Sequence, residues 1–235
     1  MKPWIIKVLI IMGLAKVLFA GGVAAKQLQT AHFILIRGYP YTSPEFNSDR
    51  YTDVMLRFGD EVIVIDTVKK GGTEWHYCVK KPHIFFIPSM FVTKATASIK
   101  YDENGNIPIG EEVVDIESSL PLFYTPGDLV ELPDRYKATG YKNRSMLLRK
   151  NAAKNFMHMI DAATSDGVDI GVLSAFRTAR YQSYLYTRAI RKYGVFQCRV
   201  AKPGHSEHQL GTTCDLTTGE ISYRLSGDFE NTEAY

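Results

Sequence analysis

The sequence predicts an α+β protein in which a small β-barrel precedes a domain that mixes helices with strands. Two observations carry this. Between His32 and Thr93, five short runs rich in β-branched and aromatic residues are broken by glycine, proline and aspartate, which is strand and turn chemistry. Beyond Pro121, two longer segments repeat apolar residues at three- and four-residue steps with a strand-like run between them. A 45% hydrophobic and 23% charged composition over 235 residues is enough for two real cores. The net charge of +3 is spread along the chain and leaves no basic stripe, so no nucleic-acid partner is expected.

Taken in order, residues 1–25 carry Lys2, an apolar run from Val8 to Ala15 and small residues from Ala20 to Ala25. This pattern reads as a signal peptide or membrane anchor and puts the working part outside the cytoplasm, in the cell envelope or periplasm. The barrel, residues 32–93, takes strands at Phe33–Ile36, Val54–Phe58, Glu61–Ile65, Trp75–Val79 and Ile84–Ile87. His32 and His83 have no partner at ligand spacing and are expected at the surface or at strand ends. Residues 94–120 are polar and acidic with a turn at Asp102–Gly105, and read as a linker. In residues 121–235, a helix from Ser145 to Thr164 would bury Leu148, Ala152, Phe156, Met159, Ile160 and Ala163, with His158 beside that stripe. A strand from Val168 to Ser174 follows. A second helix, Ala179 to Tyr193, carries Tyr181, Leu185, Ala189 and Tyr193 as a packing stripe, with Gln182 one residue off it. Cys78, Cys198 and Cys214 form no spaced framework and read as buried free thiols, a Cys198–Cys214 bridge being the alternative.

Candidate chemistry converges on Lys202–Leu216, K-P-G-H-S-E-H-Q-L-G-T-T-C-D-L. His208 and Asp215 flank Gly211, and a strand from Thr212 to Thr217 would bury Cys214 and Leu216 while presenting Asp215 to a cleft. An imidazole and a carboxylate are good partial ligands for Zn2+. Spacing alone leaves a metal pair and an ordinary hydrogen-bonded pair equally acceptable. His205, in the same turn, reads as a rim residue.

Two segments add a resemblance. Ser206-x-His208-x-x-Gly211-x-x-x-Asp215 resembles the S-x-H-x-x-G-x-x-x-D motif of the VanY-type zinc D-alanyl-D-alanine carboxypeptidases, and Ser174-Ala-Phe-Arg177 through Gln182 resembles that family's S-G-Y-R-S-x-x-x-Q segment. The resemblance implies an α+β domain with an antiparallel sheet. It also implies His208 and Asp215 as zinc ligands, Arg177 as the catalytic cation, and Ser206 and Gln182 as substrate-binding groups. The implied substrate is a peptidoglycan stem peptide ending in D-Ala-D-Ala. The family completes its site with an E-x-W-H segment that supplies a base and a third ligand, and no Glu followed three residues later by His occurs after Asp215. The expectation is therefore a carboxypeptidase domain truncated at its C-terminus. Glu207 and Glu220 are nearby carboxylates without privileged spacing. Glu74-Trp75-His76 is a decoy, one residue short of that segment and ahead of the other motifs.

Tyr41-Thr-Ser-Pro44, Leu56 to Val62, Gly71 to Tyr77 and Ile87 to Phe91 resemble a bacterial SH3-like domain. That implies contact with cell-wall polymer. Two readings result: a zinc carboxypeptidase removing terminal D-alanine, and a non-catalytic wall-binding protein with a degenerate peptidase domain.

Overall fold

A computed structural model describes residues 30–94, 101–103, 105–107, 114–115 and 118–235. The expected leader, residues 1–25, lies outside the described residues. The chain divides into two units, Met1–Ala95 and Thr96–Tyr235.

The first unit is one antiparallel sheet of β1 (Thr30–Ile34), β2 (Glu61–Lys70), β3 (Thr73–Lys80), β4 (His83–Pro88) and β5 (Val92–Lys94), in the order β4-β3-β2-β1-β5. Its core gathers Leu35, Val62, Trp75 and Phe85, with Trp75 edge-on to Tyr41 at 5.0 Å. Trp75 is thus core, in keeping with its reading as a decoy. Val54–Phe58 does not form a strand: Leu56 makes a single two-way bridge to Gly38, at 2.9 and 3.0 Å. The fifth strand is instead Val92–Lys94, too short to show alternation in the sequence. His32 corrects the surface expectation. It is buried in the middle of β1, opposite both Val62 and Lys94, with its ring 5.3 Å from that of His76. His83 does open a strand.

The second unit begins its core before Pro121. Among its described residues, Ile107 is buried with Leu120, Tyr124 and Leu210, and the Asn106 side chain accepts from Gly127 N at 3.0 Å. These positions, read in sequence as linker, are packed. Next come β6 (Leu129–Glu131) and β7 (Leu147–Arg149), paired antiparallel, and helix α1 (Lys150–Ser165). Strand β8 (Gly171–Ser174), helix α2 (Ala179–Tyr193) and β9 (Asp215–Thr217), antiparallel to β8, complete the frame. The first helix starts later than Ser145 because Leu147–Arg149 is drawn into β7, where Leu148 is fully buried. Leu132, Tyr136, Met146, Leu148, Ala153, Ile160, Val172 and Ala175 form the core, and Cys214 and Leu216 pack against it as the alternation required. His158 and Met159 face solvent.

Helix α2 has the predicted bounds but another buried face. Thr178 Oγ1 caps it by accepting from Tyr181 N at 3.2 Å, and Gly194 ends it. Its buried residues are Ala179, Gln182, Ser183, Tyr186 and Ala189, whereas Tyr181 and Tyr193 are about half exposed. All three cysteines are free. Cys78 is buried and Cys214 half-buried, and burial pushes both thiols up to about 12. Cys198 is exposed, against the expectation of burial.

Candidate active site

The site forms where β8 ends. Leu147 O accepts from Phe176 N at 2.9 Å, which anchors the segment that leads from Ser174 to Arg177. On the other side, the 3-10 turn Glu207–Leu210 closes on Gly211, whose φ of +75° is a left-handed conformation that glycine adopts without steric cost. Gly211 O accepts from Arg149 N at 2.8 Å and His208 O accepts from Arg177 N at 3.1 Å. The two motif segments, some thirty residues apart in sequence, are therefore joined through their backbones.

His208 is buried, and its Nδ1–H donates to Ala175 O at 2.7 Å. A carbonyl only accepts, so this bond places the ring proton on Nδ1 and leaves the Nε2 lone pair outward in the neutral ring. Nε2 stands 3.3 Å from Asp215 Oδ1, while Asp215 Oδ2 is 3.6 Å from Arg177 Nη2. Burial alone would push the Asp215 carboxyl up. Hydrogen bonding and charge from His208 when Nε2 carries a proton, the Arg177 charge and a bond from Ser174 outweigh it and hold the carboxyl below the usual range. Burial lowers the Arg177 guanidinium, with Asp215 opposing, and an arginine so placed remains a cation.

Arg177, Gln182, Ser206 and Asp215 line one cavity of about 520 Å³. Gln182 is buried with Nε2 donating to Ala201 O at 2.9 Å, which turns Oε1 to the other side. Gln182 Oε1 and Arg177 Nε are both buried without a hydrogen-bond partner among the described residues, and both residues line the same cavity. Arg177 and Asp215 also line a second cavity of about 560 Å³ with Ser174 and Tyr181. The structure thus brings together all five residues singled out in the sequence. His205 lies apart, its Nδ1 bonded to Asp115 O at 2.7 Å; Glu207 is exposed and Glu220 accepts from Glu233 N at 3.1 Å. No cluster of three or more His, Cys, Asp or Glu suited to a metal occurs among the described residues. Sequence reasoning did not find the Ala175 carbonyl, which carries no side-chain signal. It also passed over Arg188, Lys192 and Arg199, which line the first cavity.

A two-donor set of one outward imidazole nitrogen and one carboxylate fits part of a zinc shell, which ordinarily takes three protein ligands in a catalytic site.

Residues 145–235 match the family model described as VanY: D-alanyl-D-alanine carboxypeptidase. YodJ of Bacillus subtilis (strain 168), which carries the name of a carboxypeptidase, is 30% identical over 122 residues, 51% of this chain and 44% of its own length. The chain therefore spans less than half of that relative. Among solved structures, the LdcB LD-carboxypeptidase is 30% identical over 52% of this chain and 57% of its own, with a TM-score of 0.47. A vancomycin-resistance VanY D,D-pentapeptidase in complex with Zn(II) is 23% identical over 46% and 61%, with a TM-score of 0.37. Over residues 145–235, then, this chain is similar to the VanY D-alanyl-D-alanine carboxypeptidases.

Proposed function

We propose that the second unit is a zinc-dependent carboxypeptidase domain that removes terminal D-alanine from peptidoglycan stem peptides ending in D-Ala-D-Ala. The observation that carries this reading is the pair His208 Nε2 and Asp215 Oδ1, 3.3 Å apart beside the half-buried Arg177 and both acceptors when the ring is neutral. Two lone pairs facing each other call for a cation between them, and His208 and Asp215 would hold zinc by Nε2 and Oδ1. Bound there, zinc would act as a Lewis acid toward the scissile carbonyl and lower the pKa of water.

The remaining work falls to residues of this chain. Arg177, whose side chain lines the cavity, would donate to the substrate carboxylate or to the oxygen that gains charge as the carbonyl is attacked. Gln182 Oε1 would accept a peptide N–H, and Ser206, buried in the same wall, would fix the backbone beside it. The base and third ligand would have to come from outside the five residues gathered here. The first unit is proposed as an SH3-like module that contacts wall polymer, supported by its five short antiparallel strands around Trp75. Both units would act outside the cytoplasm, in the cell envelope or periplasm.

The test is D-alanine release from a D-Ala-D-Ala-terminated peptide in the presence of zinc. The reading expects release that falls at least a hundredfold in Asp215→Asn and in Arg177→Gln, in line with losing one preorganised electrostatic group. Release that is unaffected by both changes would remove these residues from the reaction.

A further inference from the structure

Three cations on one side of the 520 Å³ cavity have no part in the chemistry above. Arg188 and Lys192 lie one turn apart on α2, and Arg199 follows in the loop beyond it; all three are exposed and line the cavity. Lys192 Nζ and Arg199 Cζ each stand 4.9 Å from the centroid of the Tyr193 ring, and Arg188 Cζ stands 5.7 Å from that of Tyr184. Such ring contacts orient a cation without neutralising it. The salt bridges of the described residues include none of the three, and Asp215, the only carboxylate among the described residues lining this cavity, is already engaged by His208 and Arg177. A concave surface of one sign focuses its field on whatever enters.

The wall has a direction. The cavity follows α2 from Gln182 past Leu185 and Arg188 to Lys192. At ~1.5 Å of rise per residue, Arg188 lies about 9 Å and Lys192 about 15 Å along the helix from Gln182. An extended peptide advances about 3.4 Å per residue, so this distance spans about three to four residues. We infer that Arg188, Lys192 and Arg199 select peptides bearing a free carboxylate, rather than a carboxamide, three or four residues upstream of the scissile bond. The inference rests on the proposed function in one respect: it takes the Gln182 end as the place of the peptide C-terminus.

The test uses the full chain with zinc and four rhodamine-labelled pentapeptides, read by fluorescence anisotropy. Two end in D-Ala-D-Ala and two in L-Ala-L-Ala, and within each pair the upstream residue carries a carboxylate or a carboxamide. The expected result is about three- to tenfold tighter binding of the carboxylate peptide, a preference lost in 1 M salt. The triple variant Arg188→Gln, Lys192→Gln, Arg199→Gln should bind both members of a pair with the affinity the natural protein has for the carboxamide. Equal affinity of the natural protein for carboxylate and carboxamide overturns the inference without recourse to the variant, as does a preference that survives in the triple variant. Binding of no peptide also overturns it. A carboxylate preference indifferent to the terminal residues would leave the wall standing and count against the D-Ala-D-Ala reading instead.

Discussion

His208 shows how much of the site is decided by one ring. Its Nδ1–H is held by the Ala175 carbonyl, so Nε2 is committed to Asp215 and to whatever cation lies between them. The residue types were legible in the sequence through the spacing of His208, Gly211 and Asp215, but the tautomer was not, because Ala175 lies thirty-three positions away and contributes only backbone. A second buried charge does a structural task. The Lys137 ammonium spends its three donors on Glu131 Oε1 at 2.7 Å, Asp134 Oδ1 at 2.9 Å and Arg144 O at 2.8 Å. Lys137→Met should therefore destabilise the second unit by about 1–3 kcal/mol, measured by urea unfolding, because Arg144 O and the carboxylates lose their donor. Burial pushes the Glu131 carboxyl up, but bonds from Lys137, Met146 N and Ser145 more than offset this and hold it low. A carboxyl held low in the folded state stabilises above its unfolded pKa, and that contribution is lost as pH falls through the folded value. Glu131→Gln should accordingly flatten the acid limb of a stability–pH curve. Thiol labelling at pH 8 should modify the exposed Cys198 and leave Cys78 untouched until the first unit unfolds, since burial holds the Cys78 thiol at about 12.

At the scale of elements, helix α2 was readable because its period is local and Gly194 follows its last turn, and the structure adds Thr178 as its cap. Its buried face was not readable. Tyr181, Leu185, Ala189 and Tyr193 at four-residue steps suggested a packing stripe, yet the face turned inward carries Gln182 and Ser183 between small alanines, and tyrosine tolerates exposure through its hydroxyl. Strand β7 was hidden for another reason. Three residues, Leu147–Arg149, become a strand only by pairing with Leu129–Glu131, and that partner is invisible to a local pattern. Close packing at β8 gives a sharper test. A Cβ on Gly171 would stand 2.8 Å from Ala138 Cα and 2.9 Å from Ala138 N, both backbone atoms that cannot swing aside. Gly171→Ala should cost about 1–3 kcal/mol in an unfolding titration and, by displacing β8 from under Asp215, reduce any activity with it.

For the whole molecule, hydrophobic periodicity suggested a β unit, a linker over residues 94–120 and an α+β unit, whereas the chain divides at Ala95 and Thr96 and so counts nearly all of that stretch with the second unit. The position of the second core was harder to read, because Ile107 sits in a polar stretch yet packs with Leu210 about a hundred residues later. If the units share the work as proposed, His208→Ala should still sediment with purified cell-wall sacculi, whereas a chain lacking residues 30–94 should not. Equal sedimentation of both would remove the wall-binding role from the first unit. Metal content decides whether His208 and Asp215 hold zinc beside Arg177. Inductively coupled plasma mass spectrometry on the dialysed full chain should give close to one zinc per chain, falling severalfold or more in His208→Ala and in Asp215→Asn. A folded natural protein that holds no zinc after incubation with the metal, or that holds it equally well without His208, would rule out these two residues as its zinc ligands.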